Sequence, residues 1–312
     1  MKSKERVRKF QRALARYGLF GCAWLFDRLP LGMVNLLSRA FLFIGFAFTV
    51  RQRRIANESL RIAFKGEKSQ KEIDSIIKMC FYHFGRGMIE MLYFMSHPML
   101  IDEKVSFEGL EHVDNALKEG KGVIAVTAHF GNFPLMMLAL AHRKYKVSCV
   151  IRPTRDPEVE AFLHRKRTEA GLRTVYAKPA RHTASEALKV LRDNEILFIP
   201  IDQNFGRDNG VFVDFFGHKA ATAPGPVVFA NRTKAPIIPM FILHQEDGRH
   251  KVVIEKPLQL VEGKSEKETL FLNLSSLTQL IESYIRRYPY EWAWMHRRWK
   301  SKPYVLQYCP NA

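Results

Sequence analysis

The sequence contains few cysteines and few acidic residues. Its 312 residues include 4 cysteines, which stand singly, without Cys-x-x-Cys spacing, at Cys22, Cys80, Cys149 and Cys309. This pattern excludes a disulfide-rich secreted scaffold and predicts a reducing, cytoplasmic environment with no zinc. Acidic residues number 31 against 49 lysines and arginines, which gives a net charge of +18. A charge of this size requires an acidic partner, either nucleic acid or anionic lipid.

The N-terminus lacks the features of a cleaved signal peptide. An apolar stretch, Tyr17–Phe26, follows several basic residues, but no small-residue cleavage site comes after it. Asp27 and Arg28 end the stretch well before the roughly 20 apolar residues that a membrane-spanning helix needs. A second apolar run, Ala40–Val50, is also short.

Both runs have basic flanks, and the chain is rich in phenylalanine, with 23 residues. That mixture suits a membrane interface. We therefore expect residues 1–50 to form a membrane-associated segment of two short helices that enter one leaflet. Two alternatives remain open. A single spanning helix over Leu31–Val50 would bury Asn35 and Arg39 in the bilayer, and a pair of core helices would also explain runs without a polar stripe.

Residues 51–312 are predicted to form one α/β domain with a mixed, mostly parallel sheet flanked by helices. Apolar residues recur at three- and four-residue spacing up to His97, and short apolar runs alternate with amphipathic segments after Pro98. The charged stretch Glu246–Lys251 predicts a hairpin turn. The predicted strands are Val123–Thr127, Val147–Ile151, Ile196–Ile201, Ile237–Leu243 and Val252–Ile254. The predicted helices are Leu110–Lys118, Phe133–His142, Pro157–Ala170, Ala184–Asp193, Gly225–Asn231 and Leu270–Arg287.

A buried strand that ends on a histidine carries the strongest functional signal. The strand Val123–Thr127 is followed by His129, and the chain then turns at glycine into a helix for which Asn132 is a good N-cap and Pro134 a tolerated first-turn residue. Ligands of open α/β sheets bind beyond the carboxyl ends of the strands. His129 is therefore placed where a catalytic base would act, although a histidine that merely caps the strand fits the same pattern.

This stretch resembles the histidine motif of the bacterial lipid A late acyltransferases (the lauroyl and myristoyl transferases of the lysophospholipid acyltransferase superfamily) and of their relatives that acylate phosphatidylinositol mannosides. The similarity continues in the same order over roughly residues 50 to 300. The further segments are Arg152-Pro153 with Asp156-Pro157 and Arg167, Ile201-Asp202-Gln203, Val211–Gly217 with Ala220 and Thr222, and Trp292–Lys300.

The resemblance implies an enzyme that moves a fatty acyl chain from an acyl thioester to a hydroxyl of a lipid A precursor or related glycolipid. Acyl carrier protein is favoured over CoA as the donor, no cofactor or metal is expected, and the site of action is the cytoplasmic face of the bacterial inner membrane. The family has an acidic residue where Pro134 stands here. Asp202, which ends a neighbouring strand, is the candidate to orient the catalytic base His129 in its place, and Arg152 is the candidate for a substrate phosphate or the oxyanion. The expected substrate-binding residues are Asn132, Phe215, Phe216, Arg297 and Arg298.

Other functions remain open on the sequence. Because Pro134 replaces the motif carboxylate, the chain could be a relative that binds lipid without acylating it. An acyl-CoA-dependent phospholipid or glycolipid acyltransferase is a further possibility. The positive charge also fits a nucleic-acid-binding protein, but no RNA-binding signature is present and the apolar N-terminal runs argue against it, so no nucleic acid is expected.

Overall fold

A seven-stranded sheet covered by helices on both faces forms the centre of the protein. The computed structural model describes residues 2–177 and 179–304, with side chains from residue 12 onward, so Cys309 lies outside the described residues. The first four elements are helices: α1 (Lys2–Phe26), α2 (Leu31–Phe48), α3 (Val50–Phe64) and α4 (Gln70–Ser96). The remaining elements are α5 (Ile101–Lys104), β1 (Val105–Glu108), α6 (Leu110–Lys118), β2 (Val123–Thr127), α7 (Phe133–His142), β3 (Val147–Ile151), α8 (Pro157–Glu169), β4 (Leu172–Tyr176), α9 (Ala180–Arg192), β5 (Ile196–Pro200), β6 (Val211–Phe215), β7 (His218–Thr222), α10 (Gly225–Thr233), β8 (Ile237–His244), β9 (His250–Ile254) and α11 (Glu266–Arg287).

The strand order in the sheet is β1-β9-β8-β2-β5-β3-β4. Strands β8, β2, β5, β3 and β4 run parallel to one another. Strand β9 is antiparallel to β8, and β1 pairs with β9 in parallel. The predicted fold class, a mixed and mostly parallel sheet flanked by helices, is confirmed. Strand β2 lies at the centre, so its carboxyl end opens into the middle of the crevice where ligands of such sheets bind.

Strand β2 is buried on both of its faces. Ile124 and Val126 belong to the core that α3, α9, α10 and α11 cover, and Val123 and Ala125 belong to the core beneath α6 and α7. Helix α4 contributes to both cores. A strand covered on both sides reads as a continuous apolar run, which is why the sequence predicts its bounds correctly.

The bounds predicted for β2, β3, α6 and α7 agree with the structure, and the predicted hairpin turn joins β8 to β9. Sequence analysis missed β1 and β4, which are the two edge strands of the sheet. An edge strand is short and carries polar residues toward solvent, so it lacks the apolar run that marks a central strand. It also missed the separate hairpin of β6 and β7, whose two-residue turn, Phe216-Gly217, has positive φ at both positions.

Helices α1 and α2 extend beyond the two apolar runs from which the sequence predicted them. Helix α1 ends at Phe26, as expected, but begins at Lys2, and α2 spans all of Leu31–Phe48. Of α2, only Val34 and Ser38 are buried, whereas Phe43 is 79% and Phe48 83% exposed. This exposure contradicts the alternative that α2 is a core helix. By length and composition α2 could cross a membrane.

The N-terminal helices nevertheless pack on the α/β domain. Phe20 of α1 lies against Phe162 of α8, with ring centroids 5.1 Å apart, and Arg16 pairs with Asp156 at the start of α8 at 3.6 Å. Val34 of α2 joins the core formed with the end of α4. These contacts fix one side of α1 and α2 against the domain and leave the other side exposed.

Candidate active site

The His129 imidazole and the Asp202 carboxylate meet at the carboxyl edge of the sheet. In the register of β2 and β5, Thr127 lies opposite Pro200. His129 comes two residues after Thr127 and Asp202 two residues after Pro200, so both follow their strands at the same level. The His129 Nδ1 atom is 2.8 Å from Asp202 Oδ1, and the His129 backbone N–H donates to Asp202 Oδ2 at 3.0 Å. The structure thus brings the carboxylate of Asp202, from the neighbouring strand, into direct contact with His129.

Asp202 is a buried carboxylate with three N–H donors. It is 2% exposed, and the Trp292 indole donates to Oδ2 at 2.8 Å, in addition to the two contacts from His129. Burial alone would raise the pKa of Asp202, but the charge of His129 and the hydrogen bonds from His129 and Trp292 lower that pKa to about 2. At neutral pH the carboxylate is therefore ionised and accepts the Nδ1–H of His129, which leaves the lone pair of the imidazole on Nε2.

The Nε2 side of His129 faces an amide and a second imidazole. The Gln203 side-chain nitrogen is 3.0 Å from His129 Nε2 and 3.1 Å from His296 Nε2. An amide nitrogen carries two hydrogens, so it can donate to both rings at once. Burial, and then the charge of His129, lower the pKa of His296, which favours its neutral form. Sequence analysis quoted Gln203 and His296 within the family segments but gave neither a role.

The loop between β2 and α7 is held to the C-terminal segment by backbone contacts. The Gly131 N–H donates to the Glu291 carbonyl at 2.9 Å, and the Ala293 N–H donates to the His129 carbonyl at 3.0 Å. Gly131 has a φ of +56°, and a Cβ at this position would overlap the backbone oxygen of Ile242. Only glycine fits there without strain, so the local sequence fixes the backbone on which His129 stands.

Asn132 supports this loop from inside. It is 1% exposed, its amide donates to Glu90 Oε2 at 3.0 Å, and its side-chain oxygen accepts from the Leu135 N–H at 3.3 Å as the N-cap of α7. The N-cap role predicted from the sequence is therefore confirmed, with Pro134 in the first turn of the helix. The side chain is buried and engaged with Glu90 and Leu135, and its expected contact with substrate stays a prediction.

Three of the expected substrate-binding residues lie in the interior. Phe215 is 1%, Phe216 2% and Arg298 1% exposed. Arg298 donates from Nη1 to the backbone carbonyls of Gln203 at 3.0 Å and Ala221 at 2.7 Å, and burial lowers its pKa to about 10. Contact of these three residues with substrate stays a prediction. In the structure, Arg298 holds the chain that carries Asp202 and Gln203 against the β6–β7 hairpin.

Arg152 and Arg297 remain exposed. Arg152 directly follows β3, which pairs with β5, so it lies at the same edge of the sheet as Asp202. Among the side chains that the structure describes, those of residues 12–177 and 179–304, Arg152 forms no salt bridge. The acidic residue nearest to Arg152 in the sequence, Asp156, instead accepts from the Glu158 and Val159 N–H groups at 3.0 and 3.3 Å and pairs with Arg16.

A second polar cluster adjoins the same loop through Asn132. Its centre, Glu90, is 3% exposed and accepts from Arg86 at 2.7 Å and from His250 at 3.1 Å. Burial alone would raise the pKa of Glu90, but His250 and Arg86 lower it to about 2. His244 and Glu291 continue the cluster with a 2.7 Å contact. Sequence analysis did not find it, because its residues come from distant parts of the chain.

Two cavities meet between α2 and α4. One, of about 860 Å³, is lined mainly by apolar side chains, among them Phe43, Phe46, Phe81 and Phe84, and reaches Met295, the residue before His296. The other, of about 510 Å³, is lined mainly by polar side chains. Arg39 and Tyr82 line both cavities, so the two adjoin at a polar boundary.

Comparisons with known proteins identify relatives of this chain. A family model described as bacterial lipid A biosynthesis acyltransferase matches residues 1–301. The lipid A biosynthesis lauroyltransferase of Escherichia coli (strain K12) is 25% identical over 308 residues, covering 95% of this chain and 96% of that protein. The lipid A biosynthesis palmitoleoyltransferase of the same strain is 24% identical over 294 residues, covering 93% of this chain and 92% of that protein.

Among solved structures, the 1-acyl-sn-glycerophosphate (LPA) acyltransferase of Thermotoga maritima matches with a TM-score of 0.38 and 16% identity, covering 82% of this chain and 98% of that chain. A similarity at this level supports no inference about the site.

Proposed function

The chain belongs to the bacterial lipid A biosynthesis acyltransferase family, and from this membership we propose that it transfers a fatty acyl chain from acyl carrier protein to a hydroxyl of a lipid A precursor. It is an O-acyltransferase of the lipid A type, with an acyl donor and a lipid acceptor as substrates. We further propose that it acts at the cytoplasmic face of the inner membrane.

The contact between Asp202 and His129 is the observation that carries the proposal. An ionised, buried Asp202 accepts Nδ1–H and leaves the lone pair of His129 on Nε2, where it can take a proton. In the proposed reaction the acceptor hydroxyl replaces the Gln203 amide at Nε2 and gives its proton to His129 as its oxygen attacks the thioester carbonyl. The carbon–sulfur bond then breaks, and the proton passes to the departing thiolate. A general base in such a position is worth about 10²–10⁴ in rate.

The apolar cavity between α2 and α4 supports an acyl substrate. Its lining by four phenylalanines suits a hydrocarbon chain, and its end at Met295 brings it next to His296 and so to the His129 site. Binding an acyl chain there removes apolar surface from water. The adjoining polar cavity suits the part of a lipid that carries hydroxyl and phosphate groups.

The exposed face of α2 supports a membrane location for residues 1–50. Its outward aromatic and aliphatic side chains have few protein neighbours, and contact with lipid would stabilise them. Arg152 and Arg297 are exposed cations that can pair with the phosphates of an anionic glycolipid. A lipid surface therefore accounts for the positive charge without nucleic acid.

The test is a transfer assay with full-length protein in detergent. Labelled acyl carrier protein thioester and acyl-CoA are offered in separate reactions with a lipid A precursor, and the lipid product is measured by mass spectrometry. We expect an acylated product from the carrier protein thioester and none above background with His129→Ala. Product only from acyl-CoA would contradict the proposed donor. Binding of the precursor without transfer from either thioester would instead favour a lipid-binding relative.

A further inference from the structure

Two residues beside the catalytic base, Gln203 and His296, take no part in the proton transfer described above. Both are half-buried. The Gln203 side-chain nitrogen lies between two imidazoles, 3.0 Å from His129 Nε2 and 3.1 Å from His296 Nε2, and the centroids of the two rings are 5.4 Å apart. A single amide group thus joins the base to a second histidine.

The contact with Asp202 determines which end of the Gln203 amide faces His129. Asp202 accepts the Nδ1–H of His129, so Nε2 is an acceptor and requires the NH₂ end of the amide. The second N–H of that nitrogen is then left for His296 Nε2. His296 can accept it, because burial and the charge of His129 lower the pKa of His296 and favour the neutral ring.

The backbone beneath this amide is also held in place. The Gln203 carbonyl accepts from Arg298 Nη1 at 3.0 Å, and the Asn204 side-chain oxygen accepts from the Ser301 N–H at 3.2 Å. Arg298 is buried. A donor that is fixed before the reaction stabilises developing charge without the cost of reorganisation. Gln203 is such a donor, since both its backbone and its amide have partners.

We propose that the Gln203 amide is the oxyanion donor of the transfer reaction and that His296 is the residue that positions it. The inference rests on the proposed function, in which the acceptor hydroxyl displaces the amide from His129 Nε2. That displacement frees one N–H of Gln203, while the other stays on His296. The freed N–H then lies beside the attacking oxygen, and so beside the thioester carbonyl to which that oxygen bonds.

During attack, the acceptor oxygen bonds to the thioester carbon and its proton passes to His129 Nε2. The electron pair of the carbonyl double bond moves onto the carbonyl oxygen, to which the freed Gln203 N–H donates. When the tetrahedral intermediate collapses, this pair re-forms the double bond, the carbon–sulfur bond breaks, and the proton passes from His129 to the thiolate. Arg152, the oxyanion candidate from the sequence, then remains a candidate for a substrate phosphate.

The test is steady-state kinetics with full-length protein in the transfer assay given above. Gln203→Leu should lower kcat by about 10²–10³, the loss typical of one oxyanion donor, because the interaction exists only in the transition state. For the same reason the KM of either substrate should change by no more than about threefold. Gln259→Leu is the matched control and should keep the wild-type kcat, since Gln259 is exposed in the loop before α11.

Variants of His296 test the positioning role. His296→Leu removes the acceptor and should lower kcat about tenfold, the effect of one hydrogen bond, whereas His296→Gln keeps an acceptor oxygen and should restore most of that loss. Because His296 acts through Gln203, combining His296→Leu with Gln203→Leu should give a variant no slower than Gln203→Leu alone. Losses that multiply, or no rescue by His296→Gln, would mean that His296 does not position the amide.

Wild-type kcat in a folded Gln203→Leu variant, or a loss confined to KM, would overturn the inference and leave the proposed function standing. Absence of transfer by the wild-type protein would instead overturn the proposed function, and the inference with it. If circular dichroism shows that Gln203→Leu does not fold, Gln203→Glu replaces it with the same expected loss. That variant keeps the shape of the side chain, and its carboxylate carries no N–H.

Discussion

At the sheet edge a charged side chain, that of Asp202, is buried, whereas on the outer face of α2 apolar side chains are exposed. Asp202 is 2% exposed yet ionised, and three N–H groups from His129 and Trp292 satisfy it. On α2, Phe43 is 79% and Phe48 83% exposed. A buried charge and an exposed apolar face both cost free energy in water unless something compensates them.

The source of that compensation differs between the two regions. At the sheet edge it comes from the chain itself, because each donor to Asp202 is a protein group. At α2 we propose that it comes from outside, from lipid. Changes at the sheet edge should therefore alter catalysis and folding whether or not a membrane is present, and changes on the outer face of α2 should alter membrane binding alone.

The largest expected effect is that of His129→Ala on transfer. Removing the proposed base should lower kcat by about a thousandfold or more. The buried Asp202 loses one of its donors, so the free energy of unfolding should fall by about 1–3 kcal/mol while the protein still folds. Vesicle binding should not change. His164→Ala is the control for loss of a histidine, and a His129→Ala variant with wild-type kcat would refute the role of the sheet edge.

Gly131→Ala tests the backbone beneath His129. A Cβ there would overlap the Ile242 carbonyl at a φ of +56°, whereas Gly120 has a φ of +72° with nothing within 4 Å. Gly131→Ala should therefore lower the free energy of unfolding by about 2 kcal/mol or more, and Gly120→Ala by about 1 kcal/mol, the cost of the left-handed conformation alone. Urea denaturation measures both. Equal losses would mean that the close approach at Gly131 carries no cost.

Changes on the outer face of α2 should reduce membrane binding without unfolding the protein. Leu36 is 67% and Phe48 83% exposed, and neither lines a described cavity. At about 1.5–3 kcal/mol for each buried side chain, Leu36→Ser with Phe48→Ser should weaken binding to anionic vesicles by at least tenfold. Met99→Ser with Val261→Ser is the control, because both residues are exposed outside α2. Equal vesicle binding by the two double variants would contradict a membrane role for α2.

A further effect, seen only in acid, concerns stability. The pKa of Asp202 is lowered to about 2 from an unfolded value of about 3.9. Its ionised form therefore stabilises the folded state above about pH 4, and this contribution, on the order of 2 kcal/mol, is lost as the pH falls toward 2. The difference in free energy of unfolding between wild type and Asp202→Asn, measured by guanidinium denaturation, should therefore decrease as the pH falls over that range. A gap that stays constant down to pH 2 would argue against the lowered pKa.

The sequence predicts the centre of the sheet better than its edges. β2 and β3 are apolar runs bounded by charge or glycine, so their bounds follow from hydrophobicity. β4 has two buried residues, Leu172 and Val175, without regular alternation and includes Arg173, so nothing in its pattern separates it from a loop. The length of α1 was also underestimated, since a basic helix continues through residues that carry no apolar signal.

The sequence predicts the part of the site that follows from the arrangement of neighbouring strands. His129 and Asp202 each follow a buried strand, and neighbouring parallel strands bring their carboxyl ends together. The burial of Arg298 could not be predicted, because the carbonyls that it satisfies, those of Gln203 and Ala221, belong to distant segments. From the sequence alone, a basic residue among tryptophans is expected to lie at a membrane interface.

The most direct test of the central claim, that His129 and Asp202 act as one unit, is a double-mutant cycle on kcat. Asp202→Asn should lower kcat by about 10³–10⁴, because an asparagine neither fixes the tautomer nor stabilises the imidazolium. His129→Ala combined with Asp202→Asn should then be no slower than His129→Ala alone, since residues that act together give non-additive losses. Wild-type activity in Asp202→Asn, or losses that multiply in the double variant, would contradict the account.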